Sequence, residues 1–175
     1  MEGFLDYKQR PRDYVYAKVY EALVEANLSL EMLRRGLLQN AASKAFLSVK
    51  SLISALVVSN FAKLIEKKPE KEKVWYETIG YSAPTTGLIG VAKDLKELGF
   101  EVETAVKTAL LLHKFSYNGF DPNFVDYRDE REVREDVLEV LEWVVNARKY
   151  FKDVWDERLE KEREKLERGI AEEKV

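Results

Sequence analysis

His113 is the single histidine of the sequence, and its side chain has the ordinary pKa that lies closest to neutral pH. It comes at the end of an apolar stretch and is followed at once by Lys114, with Tyr117 and Asn118 one turn further on. An imidazole in this setting can act as a general acid or a general base. The alternative is a packing role, in which the ring lies against apolar neighbours and hydrogen-bonds a nearby carbonyl. The sequence leaves both interpretations open.

Aromatic and cationic residues follow this histidine. The segment from Tyr117 to Asp121 precedes Tyr127, Arg128 and Arg131, at the start of a long helical pattern. Arginines beside aromatic rings are suited to holding phosphates and stacking on bases. The candidate ligand-binding residues are Tyr117, Asn118, Asp121, Tyr127, Arg128 and Arg131. The acidic residues between positions 129 and 132 are equally well explained as first-turn charges that favour the helix dipole.

Composition removes several classes of site. The absence of cysteine excludes disulfides, thiolate zinc sites and cysteine nucleophiles, and a single histidine excludes the paired Glu-x-x-His motifs of di-iron bundles. The fragment GLIGVAK resembles a phosphate-binding loop but lacks its spacing. We therefore expect no metal and no cofactor. The 29 basic and 32 acidic side chains nearly cancel, so binding to nucleic acid would require a local patch.

The same composition bears on the location and source of the protein. Lysines interrupt the longest apolar run, and the first residues lack a signal-peptide core, so we expect no membrane association. A chain without cysteine fits a reducing compartment, which predicts a soluble, cytoplasmic protein. Abundant Lys and Glu with few Met residues are typical of heat-adapted proteins and predict a thermophilic source.

Apolar residues at three- and four-residue spacing predict the helices that position these groups. The central helix, from Asn40 to Leu64, is apolar around most of its circumference and must be covered on several sides. A first helix, from Asp13 to Gly36, joins it through a short turn, so the two must be antiparallel. Further helices are predicted over 86–98, 102–115 and 129–155. The charged segment 67–82 is expected to be a loop of the kind that often carries function.

These elements predict an all-α fold, an antiparallel up-and-down bundle of four to five helices, formed as one domain by residues 1–155. Beyond Trp155 the apolar residues thin out among charges. Residues 156–175 are therefore expected to form a charged C-terminal helical extension, supported by pairs such as Glu157 with Lys161, or a frayed tail.

Several segments of the sequence together resemble a known family. They are AASKAFLSVKSLISALV after the tight turn, a PTT turn, HKFSYNGFDP, and YRDEREVREDVLEVLEWV. In this order, over roughly residues 14–148, the chain resembles the archaeal PaREP family of HEPN-like helical proteins. The resemblance implies a helical bundle that tends to form homodimers. It also implies a superfamily that includes RNA-cleaving toxins, nucleotide-handling accessory domains and members with no assigned activity.

The RNA-cleaving members of that superfamily use an arginine, four to six intervening residues and a histidine, without metal. Here the residue five intervening positions before His113 is Lys107, which keeps the charge but loses the bidentate grip on a phosphate. The leading hypothesis is therefore a HEPN-like, non-catalytic module that binds RNA, a nucleotide or a protein partner encoded nearby. One alternative is a metal-independent endoribonuclease, with His113 as general base and Lys107 at the phosphate. The other is a protein-interaction scaffold that acts through its charged tail.

Overall fold

Two consecutive helices, α1 (Pro11–Arg34) and α2 (Leu38–Ser59), form an antiparallel pair at the centre of the fold. The computed structural model describes residues 6–175. Two serines bridge the backbones of this pair: Ser29 Oγ donates to the carbonyl of Ala41, and Ser48 Oγ donates to that of Ala22, each at 2.7 Å. Because the residues at these contacts are small, the two helices lie close together.

Six further α-helices follow in the part of the chain that the structure describes. They are α3 (Phe61–Ile65), α4 (Glu70–Thr78), α5 (Leu88–Glu97), α6 (Glu103–Asn118), α7 (Glu130–Asn146) and α8 (Glu157–Glu173). Two short 3₁₀ segments, Gly80–Ser82 and Ala147–Tyr150, connect them, and residues 6–175 contain no strand. The predicted all-α fold is confirmed.

The long helices alternate in direction. α6 is antiparallel to α2, because Gln39 at the start of α2 donates to the carbonyl of Ser116 near the end of α6 at 3.1 Å. α7 is antiparallel to α6, because Trp143 Nε1 near the end of α7 donates to the carbonyl of Glu101, just before α6, at 3.0 Å. This is the predicted up-and-down bundle, with α3, α4 and α5 inserted between α2 and α6.

Helix α2 has the length and composition of a membrane-spanning helix, with a mean hydropathy of 1.5 over its most apolar window. However, 78% of that window is buried inside the protein. α1, α6 and α7 pack around it, as its nearly continuous apolar circumference predicts. This burial is typical of the core helix of a soluble protein.

Two helices end earlier than predicted. The central helix stops at Ser59 and the chain bends into the short α3, whereas α7 stops at Asn146 rather than at Trp155. The seam residues Ala147 and Phe151 nevertheless remain buried, as their spacing predicts. The chain reverses at this point so that α8 can return along the bundle, which an uninterrupted helix would prevent.

The segment predicted as a loop, residues 67–82, is largely helical and contains α4 and the first 3₁₀ segment. Tyr76 is 2% exposed, and its hydroxyl donates to the carboxylate of Asp94 on α5 at 2.6 Å. Lys68 forms an ion pair with the same carboxylate, also at 2.6 Å. The helix was not evident in the sequence because α4 buries one residue, Tyr76, and is otherwise rich in charge.

The C-terminal residues do not project from the bundle. α8 packs on α1 and α7, and its side chains Leu159, Leu166 and Ile170 are at most 4% exposed. At Gly169 an added Cβ would lie 2.3 Å from the Leu30 side chain, so glycine permits the close contact with α1. This corrects the expectation of a projecting or frayed extension, since a sparse apolar row is sufficient when two helices cover it. The predicted pair of Glu157 and Lys161 is present, at 3.5 Å.

The start of α8 is held by a network centred on Glu160. Its carboxylate accepts hydrogen bonds from Arg163 at 2.8 Å, Arg148 at 2.7 Å and the indole of Trp155 at 2.8 Å. These bonds, led by the one from Arg163, lower the pKa of Glu160 to about 2. The network therefore links α8 to the preceding 3₁₀ segment, Ala147–Tyr150. This link is present only while Glu160 is ionised.

Glu160→Gln is expected to lower stability at neutral pH and to have little effect in acid. Because the pKa of the folded carboxyl is depressed, its contribution is present above about pH 4.5 and is lost as the pH falls toward about 2. The contribution is on the order of 2 kcal/mol, after allowance for partial exposure. Urea unfolding of both proteins, from neutral pH down to about pH 2.5, measures it. A difference in the free energy of unfolding that stays constant across this range would contradict the role of Glu160.

Candidate ligand-binding site

The imidazole of His113 lies between α2 and α6. It is stacked on the ring of Phe46, with centroids 4.0 Å apart and planes at 25°. Tyr117, one turn later on α6, meets it edge-on at 5.1 Å and is 77% exposed. The histidine is therefore half-buried on one side and flanked by an open aromatic ring on the other.

The surroundings of His113 keep its imidazole neutral. Burial, and then the nearby positive charge of Lys50, lower its pKa below the ordinary value of 6.5. The hydrogen bond at this residue uses its backbone carbonyl, which accepts from Ser116 Oγ at 2.6 Å. The imidazole itself has no hydrogen-bonding partner among residues 6–175. The sequence allowed either a catalytic or a packing role for His113. Its ring packs against Phe46 as the packing role requires, but the imidazole makes no hydrogen bond to a carbonyl among residues 6–175.

Lys50 on α2 is the fourth residue of this region, beside Phe46, His113 and Tyr117. It lies one turn after Phe46 on α2, and no carboxylate in the described part of the chain forms an ion pair with it. Lys44, on another side of the same helix, differs because it pairs with Glu25 at 3.2 Å. We refer to Phe46, Lys50, His113 and Tyr117 as the α2–α6 cluster. It brings a cation, a neutral imidazole and an exposed aromatic ring to one surface.

Lys107 does not join this cluster. It precedes His113 on α6 by six residues, which places it about 120° around the helix axis and about 9 Å along it. Its side chain is exposed. The Lys107–His113 pair that the sequence suggested therefore does not share one face of the helix, because six residues are close to one and two-thirds turns.

Asn118 and Asp121 are engaged in local backbone contacts. Asn118 Nδ2 donates to the carbonyl of Lys114 at 2.9 Å, and Asp121 Oδ1 accepts from the amide of Asn123 at 2.9 Å. Both contacts shape the end of α6 and the turn after it. These side chains lie near Tyr117 in sequence, but their polar groups are already used in part.

The three predicted residues around the start of α7 are also paired. Tyr127 packs edge-on against Phe115 and donates from its hydroxyl to Asp136 at 2.6 Å. Burial, with this bond, raises the pKa of Tyr127 above its usual range. The arginines each form an ion pair one turn along the chain at 2.8 Å: Arg128 with Glu132, and Arg131 with Glu135.

The structure thus joins His113 and Tyr117 of the predicted residues and adds two that the sequence did not select. Phe46 has the spacing of a core residue and is one, at 3% exposed, so it supports the imidazole from the inside. Lys50 interrupts an apolar row, which fits either a solvated lysine or part of a basic cleft. Their four-residue spacing puts both on one face of α2, but nothing in the sequence shows that this face meets His113. No group of three or more His, Cys, Asp or Glu side chains suited to a metal ion occurs among residues 6–175.

The fold is of the all-α, up-and-down helical-bundle class, with the α2–α6 cluster between two of its long helices. A family model, described as the archaeal PaREP1/PaREP8 family, matches residues 17–138. The chain therefore belongs to the archaeal PaREP1/PaREP8 family, as its sequence motifs predict. The matched region runs from α1 into α7 and contains the whole α2–α6 cluster. No curated protein and no solved structure matches the chain.

Proposed function

We propose that this protein is a HEPN-like, non-catalytic binding module that recognises single-stranded RNA through the α2–α6 cluster. One observation carries the proposal: Tyr117 exposes 77% of its surface beside an imidazole that has no internal hydrogen-bonding partner. The ring of Tyr117 offers an open stacking face, and the imidazole beside it has hydrogen-bonding capacity that no residue among 6–175 uses. A ligand that stacks on the ring and hydrogen-bonds the imidazole would use both groups.

RNA has the chemistry that these groups recognise. An unpaired base stacks on the face of Tyr117, a contact worth about 1–3 kcal/mol per base. Lys50 attracts the phosphate that follows, because no carboxylate among residues 6–175 neutralises it. The neutral imidazole of His113 can donate from one nitrogen and accept at the other, which suits a ribose hydroxyl or a base edge.

The test is the binding of a labelled single-stranded RNA to the purified protein at low salt, followed by fluorescence anisotropy. Tyr117→Ala is expected to weaken binding by roughly 5-fold to 100-fold, the loss of one stacked base. Lys50→Ala is expected to weaken it less and to reduce its dependence on salt.

Two exposed residues outside the cluster serve as matched controls. Phe124 is an aromatic residue that is 61% exposed, and Lys107 is an exposed lysine on the same helix as His113. Phe124→Ala and Lys107→Ala should leave the affinity within about twofold of the unmodified protein. The proposal fails if the controls weaken binding as much as the cluster variants, or if no RNA binds.

One observation favours a second candidate, a metal-independent endoribonuclease. The lowered pKa of His113 leaves its imidazole as a free base at neutral pH, next to the cation Lys50. In this reaction His113 would take the proton from the ribose 2′-hydroxyl, and Lys50, rather than Lys107, would steady the scissile phosphate. Incubation of the same RNA in excess EDTA, resolved on a gel, separates the two candidates. Cleavage that His113→Ala abolishes would establish the enzyme, whereas binding without cleavage supports the non-catalytic module.

A further inference from the structure

An open pocket lies at the C-terminal end of α7, between the last turn of that helix, the 3₁₀ segment Ala147–Tyr150 and α8. Its volume is about 680 Å³, within the range of sites that hold small-molecule ligands. Its charged and aromatic lining consists of Arg148, Lys149, Lys152, Trp155, Arg163 and Glu167. Neither the α2–α6 cluster nor the residues predicted from sequence contribute to it.

The pocket carries an excess of positive charge. Two of its four cations are balanced: Arg163 is 8% exposed and pairs with Glu160 and Glu167, at 2.8 and 2.7 Å. Arg148 shares Glu160 at 2.7 Å. Lys149 and Lys152 have no carboxylate partner among residues 6–175, and the Lys149 ammonium lies 5.1 Å from the ring of Tyr150. The four cations therefore face two carboxylates, which leaves two positive charges for an anion.

Two of the groups that line the pocket, Arg148 and Trp155, are oriented by hydrogen bonds to Glu160. The Trp155 indole is fixed by its Nε1 bond to Glu160 at 2.8 Å, and this orients the ring at the edge of the pocket. Arg148 donates to Glu160 through a single nitrogen, so its other N–H groups remain available. The hydrogen bonds to Arg163, Arg148 and Trp155 keep the Glu160 carboxyl ionised, with its pKa lowered to about 2, so the arrangement persists at neutral pH.

We propose that this pocket binds a nucleoside polyphosphate, with its phosphates at Lys149, Lys152 and Arg148 and its base against Trp155. Two excess positive charges match a chain of phosphates better than a single carboxylate, and the guanidinium of Arg148 suits phosphate oxygens. An aromatic wall beside the cations provides a stacking surface for a base. The site is separate from the RNA surface proposed above and does not depend on it.

Isothermal titration calorimetry in EDTA, with ATP, inorganic triphosphate and adenosine as separate probes, tests this inference. ATP should bind, triphosphate should bind more weakly because it cannot stack, and adenosine should bind more weakly still. Combining Lys149→Ala with Lys152→Ala is expected to weaken ATP binding about tenfold or more. Both lysines are exposed, so this variant should keep its fold, which circular dichroism checks.

The matched control combines Lys93→Ala with Lys107→Ala, two exposed lysines that do not line the pocket. Equal loss of ATP binding in this control would overturn the inference, as would no binding of ATP at millimolar concentration. Equal affinity for triphosphate and ATP would overturn the role of Trp155 and with it the nucleoside. A further outcome would also overturn the inference. If an RNA with a 5′-triphosphate binds through Lys149 and Lys152 but ATP does not, the pocket holds the end of an RNA rather than a free nucleotide. Tyr117→Ala should leave ATP binding unchanged, so failure here is distinguishable from failure at the RNA surface.

Discussion

Deletion of residues 156–175 is expected to unfold the protein. The deletion removes Leu159, Leu166 and Ile170, each at most 4% exposed, and uncovers the surfaces of α1 and α7 beneath them. Full burial of three such side chains is worth about 5–9 kcal/mol, which is comparable to the whole stability of an ordinary domain, about 5–15 kcal/mol. Thermal and urea unfolding followed by circular dichroism should show no cooperative transition, or one at a much lower midpoint.

The control for this deletion removes only Lys174 and Val175, which are exposed. That protein should unfold like the full chain. If the chain that ends at Trp155 unfolds with an unchanged midpoint, α8 does not belong to the core. The experiment also addresses the scaffold hypothesis, which requires a charged tail that can be removed without loss of folding. Because α8 fills part of the core, any partner bound by this helix would meet only its outer face.

Replacing Phe115 by alanine is expected to lower the free energy of unfolding by about 3–5 kcal/mol. Phe115 is 1% exposed and lies on the inner face of α6. Its ring meets Phe120 at 5.0 Å and Tyr127 at 5.9 Å, so it anchors the segment between α6 and α7. Urea unfolding at neutral pH measures the loss.

Two variants set the scale for this result. Phe115→Leu keeps most of the volume and should cost less than half as much as the alanine variant. Phe124→Ala removes a ring of the same kind that is 61% exposed, and it should change stability by no more than about 0.5 kcal/mol. Comparable losses in Phe115→Ala and Phe124→Ala would mean that α6 is not packed as described.

The fold could largely be predicted from the sequence, because helical periodicity reports which face of each helix is buried. The row from Ala41 to Leu56 on α2 lies fully inside, and the seam from Val133 to Val144 on α7 faces the core. The predictions failed where burial depends on few residues. α4 buries only Tyr76, and α8 hides its sparse apolar row under two other helices, so neither produced a strong pattern.

The candidate site could be predicted only in part. His113 and Tyr117 were evident from residue type and from their spacing of one turn, but Phe46 and Lys50 approach them through the register between two helices. Periodicity within one helix contains no information on that register. Arg128 and Arg131 lie outside the α2–α6 cluster, and each pairs with a glutamate one turn along the chain. Their part in ligand binding stays a prediction. The homodimer, the cytoplasmic location and the thermophilic source stay predictions.

The packing of α8 on α1 also has a consequence for how the chain is made. α1 ends at Arg34 and its partner α2 follows immediately, so a ribosome can release this hairpin early and allow it to close. α8 begins only at Glu157, and until it has been translated the groove beside Leu30 has no cover. A nascent chain therefore carries an open apolar seam through most of its synthesis, which is the kind of surface that chaperones bind. The contact between α1 and α8 therefore forms late, after most of the chain has been synthesised.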